Sequence, residues 1–406
     1  MNNRLPLYGL KVLESTVAAT GPAGGKYFAD FGATVIKVES GARPDVTRLA
    51  LPHKDGKPGV DRGASFLYLN TSKMSVTLNL TKPRGVELYK ELVSWADLIL
   101  QNRRPGSMDK LGLGYNDLRK VKEDIIMLDV SIAGQKGPYA DAGGWGQLTM
   151  AMCGQFNLMR WPKQDPLAPG FTAPPDAVAP RFMVVAALAA LDYKRRTGKG
   201  QYIDLSQIEP MCHFLALGIL DYVTNKRVQG PIGNRSERAA PHGAFRCKGK
   251  DQWCAISVST DEEWIGFCRV LGNPEWTKKS KFASLAARKE NEDELEELVA
   301  NWTKNYTPWE VMDMMQKAGV PSGVLENIDD LIERDPQVKE RALFFQLEHP
   351  VLGKCYHPRE PFILSKTPPK ISTSPLQGQH NKYVFTEILG IPEEEFNKLV
   401  EEKVIN

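Results

Sequence analysis

The 406-residue chain carries 52 Lys and Arg against 49 Asp and Glu, a formal net charge of +3, and is 42% hydrophobic. That balance excludes the strong basic field of a nucleic-acid binder, and the length exceeds what one core usually supports, so two domains are expected. The six cysteines contain no C-x-x-C pair and the six histidines no H-x-x-x-H or H-E-x-x-H spacing, which speaks against metal chemistry and for reduced, mostly buried thiols.

From the N-terminus, "MNNRLPLYGLK" lacks the apolar core of a signal peptide, and the longest apolar run, 182–191, is short of the ~18 residues of a membrane span. A cytoplasmic protein with no membrane partner is expected. Residues 10–13 read as a buried strand, 22–31 as a helix with Gly32 past its end, and 34–38 as a second buried strand, which makes one βαβ unit. Gly21, Gly24, Gly25 and the closing acid Glu39 raise the question of a nicotinamide dinucleotide site. The spacing disagrees. The fingerprint is G-x-G-x-x-G, whereas here it is G-P-A-G-G, and Pro22 removes an amide donor. Two readings are left: close helix–strand packing, or a different nucleotide-bearing ligand.

Further along, 76–80 reads as a strand, 83–96 as an amphipathic helix entered through Thr81, and 98–100 and 125–130 as buried strands. Such alternation means a parallel, doubly wound sheet, whose ligands bind at the carboxyl ends of the strands. The loops to inspect are therefore "VAATGP" at 17–22, "QNRRPG" at 101–106 and "SIAGQKGPY" at 131–139. A Met- and aromatic-rich segment, "MAMCGQFNLMRWP", and a Pro-rich loop, "APGFTAPPD", precede a long small-residue helix over 180–196, stopped by "TGKGQ". Another helix is expected over 209–222, then an irregular linker, "NKRVQGPIGNRSERAAPHG". A hairpin of "GAFRCK" and "QWCAISV" with helices over 263–271 and 292–304 suggests a smaller domain, and the chain closes with a helix over 393–403.

Eight stretches in order, "ADFGATVIKVES", "NTSKMSVTLNL", "QNRRPGSMDKLGLG", "GQKGPYAD", "RRTGKGQYIDLSQIE", "AGVPSG", "RDPQVKERALF" and "PLQGQHN" to "EILG", resemble the family III (formyl-CoA/carnitine-type, CaiB/BaiF-like) coenzyme A transferases. The overall look is nearest to the benzylsuccinate CoA-transferase branch. The resemblance implies an α/β fold with a Rossmann-like doubly wound parallel sheet in a large domain built from both chain ends, 1–224 and 331–406. A linker and smaller α+β domain would occupy 225–330, and two chains would interlock like ring links. It further implies transfer of coenzyme A from an acyl-CoA donor such as succinyl-CoA to a carboxylic acid, with coenzyme A thioesters as substrates and no permanently bound cofactor. The assembly would be a homodimer or a heteromer with a similar chain. The glycine-bearing unit then resembles a coenzyme A site.

By the same resemblance Asp176, ahead of the long helix, matches the family's nucleophile. Local pattern also allows a helix cap. Proline favours the first helical position and disfavours helix at the residue before it, so Pro180 places the cap nearer Ala179 and leaves Asp176 in the preceding loop. A carboxylate suits the chemistry: it attacks a thioester, releases a thiolate and stores the acyl group as a mixed anhydride. The site must also stabilise an oxyanion and exclude water. Arg48 and Lys73 match family positions near the nucleotide phosphates, and Asn102 matches the loop lining adenosine and pantetheine. Arg104 is a phosphate-ligand candidate on charge alone. For each cation the alternative is an exposed solubilising charge.

The chain departs from the family pattern at Pro175 and Pro180, where glycines are usual, and at Gly146, where an acid is usual. Ala19 stands where oxalate and formate enzymes have glutamine, and their tetraglycine loop is absent, which disfavours those substrates. Met150, Met152, Phe156, Met159 and Trp161 lie between Trp145 and Asp176. They suggest either an apolar acyl pocket with Arg160 as carboxylate partner or ordinary core packing. Two rival functions remain. A 2-methylacyl-CoA racemase-like isomerase would need a base pair, for which His242 is the histidine to consider. A non-catalytic subunit would support an active, similar chain.

Overall fold

The computed structural model describes residues 5–166 and 173–406. Of the Pro-rich loop expected at 168–176, residues 168–172 lie outside the described residues. The central element is a six-stranded sheet of β1 (Lys11–Ser15), β2 (Thr34–Glu39), β3 (Met74–Thr77), β4 (Leu98–Gln101), β5 (Ile126–Ser131) and β6 (Tyr202–Ser206). All neighbours pair in parallel, in the order 3-2-1-4-5-6 of dinucleotide-binding doubly wound folds.

Continuous apolar runs make these strands, because both faces of the sheet are covered. Leu13, Ile36 and Ile99 point to a core that also holds Leu88 and Leu92 of the Pro83–Trp95 helix and, from the end of the chain, Phe385, Phe396 and Leu399. Their strand neighbours Val12, Val35 and Leu98 point the other way, to Phe28 of the Thr20–Asp30 helix and to Met183, Ala187 and Ala190. The alternation along each strand thus joins two cores back to back.

The helix that carries Ala187 runs over Pro174–Thr197, starting earlier than Pro180 suggests. Pro174 and Pro175 fill its first two positions, where a missing N–H costs no hydrogen bond, and Ala173 is the extended N-cap. Asp176 is therefore the third helical residue and not part of a loop. Pro180 lies inside the helix, where it cannot donate to the carbonyl of Asp176. By length and composition this helix could cross a bilayer. Here one side of it, at Ala179, Met183, Ala187 and Ala190, is buried in the core.

Two further expectations change. The segment over 209–222 divides at Leu215 into Ile208–Phe214 and Ala216–Asn225, with no Gly or Pro at the joint to announce it. Strand β6 follows "TGKGQ" where no strand was expected.

The described residues form two compact units, the first within Met1–Gln155, Ala168–Arg227 and Ala342–Asn406, the second within Phe156–Leu167 and Val228–Arg341. Besides the parallel sheet, the first contains an antiparallel hairpin, Phe344–His349 with Gly353–Pro358. The second contains a three-stranded antiparallel sheet, β7 (His242–Arg246), β8 (Trp253–Ser257) and β9 (Ser322–Val324). Its helices Asp261–Val270 and Pro308–Lys317 open on capping boxes, Thr260 with Glu263 and Thr307 with Glu310, and a core of Phe245, Phe267, Leu295 and Met315 fills it.

Candidate active site

A cavity of about 260 Å³ opens at the carboxyl ends of β1, β4, β5 and β6, lined by Thr20, Asn102, Trp145, Gly146 and Asp176 among others. This is the topological switch point, where the strand order reverses between β1 and β4.

The Asp176 carboxylate is hydrogen-bonded at one oxygen and closely packed at the other. Oδ1 accepts a 2.7 Å hydrogen bond from the Thr20 hydroxyl. Oδ2 faces Gly146, so closely that a Cβ built on that glycine would lie 2.4 Å from it and 2.6 Å from Ala173 Cβ. Gly146, where the family pattern has an acid, thus leaves the room this carboxylate occupies. Burial pushes the Asp176 carboxyl above the ordinary aspartate range, and the Thr20 hydroxyl, which favours the ionised form, pulls it partly back.

Thr20 is placed by the loop before it. Asn102 clamps Val17, accepting from its N–H at 2.8 Å and donating to its carbonyl at 2.7 Å. The N–H of Ala18, a residue at φ +61°, donates to Asp45 at 3.2 Å. The glycines that raised the nicotinamide question are close-packing residues: a Cβ on Gly21 would strike Thr16 at 2.4 Å, and one on Gly25 would strike Glu14 Oε2 at 1.8 Å.

Behind the loop lies a buried charge network. Lys37 pairs with Glu14 at 3.3 Å and Asp45 at 3.1 Å and donates to the Thr16 carbonyl at 2.7 Å. Lys73 pairs with Glu14 at 2.8 Å and donates to the Pro22 carbonyl and Asn70 Oδ1. Burial pulls the Lys73 ammonium down to about 8 even with Glu14 opposing it. Arg48 is equally enclosed: it makes two bonds to Glu39, at 2.9 and 2.7 Å, pairs with Asp61, and stacks on Phe66. Arg48 and Lys73, expected at the nucleotide phosphates, are themselves buried among charged partners, and neither lines the cavity.

Asn102, Arg104, Trp145 and Asp176 do line it together. Arg104 is exposed and donates to the Asp141 carbonyl at 3.0 Å. Arg160 belongs to the second unit, where its guanidinium donates to Gln164 and Asn157. His242 also lies there, its Nδ1 2.6 Å from the Asn234 carbonyl. Among the described residues lining the Asp176 cavity there is no histidine.

The sequence reading missed Thr20, whose role depends on a contact across 156 positions. It also missed Arg103, which sits beside the chosen Arg104. Arg103 lines both this cavity and a second one of about 270 Å³ at the carboxyl ends of β1 to β3, shared with Arg43, Asn79 and Thr81. The two cavities share Arg103, one being lined also by Arg43 and Glu39 and the other by Arg104 and Asp176, so cations flank a carboxylate along a path long enough to consider for a phosphate-bearing thioester.

The model of CoA-transferase family III matches residues 7–381. The chain belongs to CoA-transferase family III. This CoA-transferase is 32% identical over 403 residues to succinyl-CoA–D-citramalate CoA-transferase of Chloroflexus aurantiacus, covering 98% of each chain. It is 32% identical over 406 residues to the beta subunit of succinyl-CoA–L-malate CoA-transferase from the same organism, covering 99% of this chain and 98% of that one. Among solved structures, a CaiB/BaiF family protein from Brucella suis superposes with a TM-score of 0.87 at 30% identity, over 95% of this CoA-transferase and 100% of that chain.

Proposed function

We propose that this CoA-transferase moves coenzyme A from an acyl-CoA donor, succinyl-CoA in the first instance, to a carboxylic acid acceptor, with Asp176 as nucleophile. The observation that carries the reading is the setting of the Asp176 carboxylate, half-hidden at the switch point with one oxygen on Thr20 and the other against Gly146. A poorly solvated anion held in this way is a better nucleophile than one in water.

In the proposed cycle an Asp176 oxygen attacks the thioester carbonyl and the C–S bond breaks, leaving a mixed anhydride and the coenzyme A thiolate. The thiolate attacks Asp176 Cγ and releases the donor acid, leaving an aspartyl thioester. The acceptor carboxylate then attacks Cγ and expels the thiolate, which attacks the acceptor's acyl carbon. The acceptor departs as its thioester, and the oxygen that bridged the anhydride stays on Asp176. For coenzyme A we assign the nucleotide end to the Arg43 and Arg103 cavity and the pantetheine to the Asn102, Arg104 and Trp145 wall. Arg48 and Lys73 brace the loop from behind.

The printed activities of the relatives, succinyl-CoA with D-citramalate or L-malate, support a dicarboxylic acceptor. Benzylsuccinate remains an acid to test beside them. For the assembly we propose interlocked chains. Exposed Phe214, Leu217, Leu220, Tyr222 and Val223 leave an apolar surface for a second chain to cover. The alpha and beta subunits among the relatives keep a similar but different partner in view.

The test is a screen of the purified chain with succinyl-CoA and acetyl-CoA against dicarboxylic, hydroxy and aryl-substituted acids. Acyl exchange by the chain alone is the expected result. Deuterium uptake at the α-carbon without exchange would instead indicate an isomerase, and activity only after a similar chain is added would indicate a supporting subunit.

A further inference from the structure

Two polar side chains in the wall of the Asp176 cavity have no hydrogen-bond partner in the protein. Ser131, the last residue of β5, is 9% exposed and Gln207, the residue after β6, is 8% exposed. Ser131 Oγ and Gln207 Oε1 are both unpartnered, and both residues line the cavity. They share one rigid rim, because the Gln207 N–H donates to the Ser131 carbonyl at 2.9 Å and β5 pairs with β6 up to Ser131 and Ser206.

The neighbouring Ser206 shows what a structural hydroxyl does at this rim: it donates to the Ile132 carbonyl and accepts from the Ile208 N–H, each at 3.2 Å. Thr149 Oγ1 is also buried without a partner, but Thr149 does not line the cavity. Ser131 and Gln207 differ from both in combining a buried polar atom of unmet hydrogen-bonding capacity with a place in the cavity wall, where a turn of the side chain would present that atom to a ligand. Buried polar groups are nearly always paired, so two together at a ligand cavity call for a partner from the ligand.

We infer that Ser131 and Gln207 form a hydrogen-bonding subsite for a neutral polar substituent, a hydroxyl above all, on the acyl group held beside Asp176. This rests on the reading of Asp176 as the transferase nucleophile. A hydroxyl matches the pair because it donates to the carboxamide oxygen while accepting from the serine O–H. Exchanging the ends of the carboxamide reverses one direction without changing the match. Neither side chain is charged, so the pair would not neutralise a second carboxylate, and burying one there unpaired is unfavourable. The subsite therefore selects hydroxy acids over acids of the same skeleton without the hydroxyl.

The experiment measures kcat/KM for transfer from succinyl-CoA to glutarate, to both enantiomers of 2-hydroxyglutarate, and to 3-hydroxyglutarate. At least one hydroxy acid is expected to exceed glutarate by roughly tenfold or more, since a site built around a hydroxyl is left with unpaired groups by the deoxy acid. In Ser131→Ala and Gln207→Met the hydroxy-to-deoxy ratio is expected to fall to within about threefold, the hydroxy acid losing more than glutarate does. A second readout separates a ligand subsite from a structural pair. Each substitution removes an orphan polar atom, so the melting temperature without ligand should not fall. A ratio near one in the unaltered protein, a ratio unchanged in both variants, or a lower melting temperature in both overturns the subsite. Failure to transfer to any acid overturns the transferase reading and the subsite with it.

Discussion

Thr20 and Asp176, 156 residues apart in the chain, are joined by a 2.7 Å hydrogen bond in which the threonine hydroxyl donates to the carboxylate. It ties the first turn of the helix after β1 to the first turn of the Pro174–Thr197 helix, so the two helices that pack on one face of the sheet also fix the Asp176 carboxylate.

The bond sets a pH dependence. Burial raises the Asp176 carboxyl and Thr20 opposes the rise. A nucleophile must be ionised, so the acid limb of kcat/KM should lie above the ordinary aspartate range and move further up in Thr20→Val. The sign for stability follows from the same shift. Folded Asp176 keeps its proton to higher pH than the unfolded residue, so its destabilising effect is present above the folded pKa and relieved as pH falls through it. Asp176→Asn should therefore melt higher than the unaltered protein at neutral pH, with the gain shrinking in acid. An acid limb unmoved by Thr20→Val contradicts the arrangement.

Gly146→Ala tests the other oxygen. The added Cβ would press on Asp176 Oδ2 at 2.4 Å and Ala173 at 2.6 Å, so the carboxylate must turn away from its place. Displacing a reacting group by about an ångström costs on the order of a hundredfold in rate, and overpacking of this kind about 1–3 kcal/mol. Steady-state kinetics and thermal melts check both. Full activity in the alanine variant would show that Asp176 does not react from this position.

Lys73→Met separates a structural lysine from a phosphate ligand. It leaves Glu14 buried with one cation fewer, and breaking a buried pair in this way costs about 3–5 kcal/mol. A large drop in melting temperature is expected. Unchanged stability with a raised KM for the acyl-CoA would return Lys73 to the coenzyme A phosphates.

These residues show what the sequence could and could not convey. The β1–helix–β2 unit was legible because its strands are continuous apolar runs and Gly32, at φ +102°, ends the helix where only glycine is unstrained. Strand β6 was not, because "YIDLS" is short, has no continuous apolar run, and its first three residues are partly covered or exposed. The start of the long helix was misplaced because the proline rule was applied to Pro180, while Pro174 and Pro175 satisfy it earlier. Arg48 and Lys73 read as surface charges or phosphate ligands because their partners Glu39, Asp61 and Glu14 come from other elements. Thr20 and Ser131 lie in post-strand loops the sequence marks for inspection, but nothing singles out either residue, or Gln207, since what matters at each is the cavity the fold brings around it.

Interlocked chains cannot part without unfolding, so sedimentation at nanomolar concentration should still find an oligomer. A stable folded monomer there would contradict that assembly.

The most direct test of the central claim follows oxygen into Asp176. During a single turnover with an acceptor whose carboxylate carries oxygen-18, the oxygen that bridges the acceptor anhydride remains on the enzyme when the thiolate departs with the acyl group. Mass spectrometry of the peptide containing Asp176 should then show one heavy oxygen on that side chain, and hydroxylamine added with acyl-CoA should trap a hydroxamate there. Rapid acyl exchange with neither the label nor the adduct on that peptide would contradict the account.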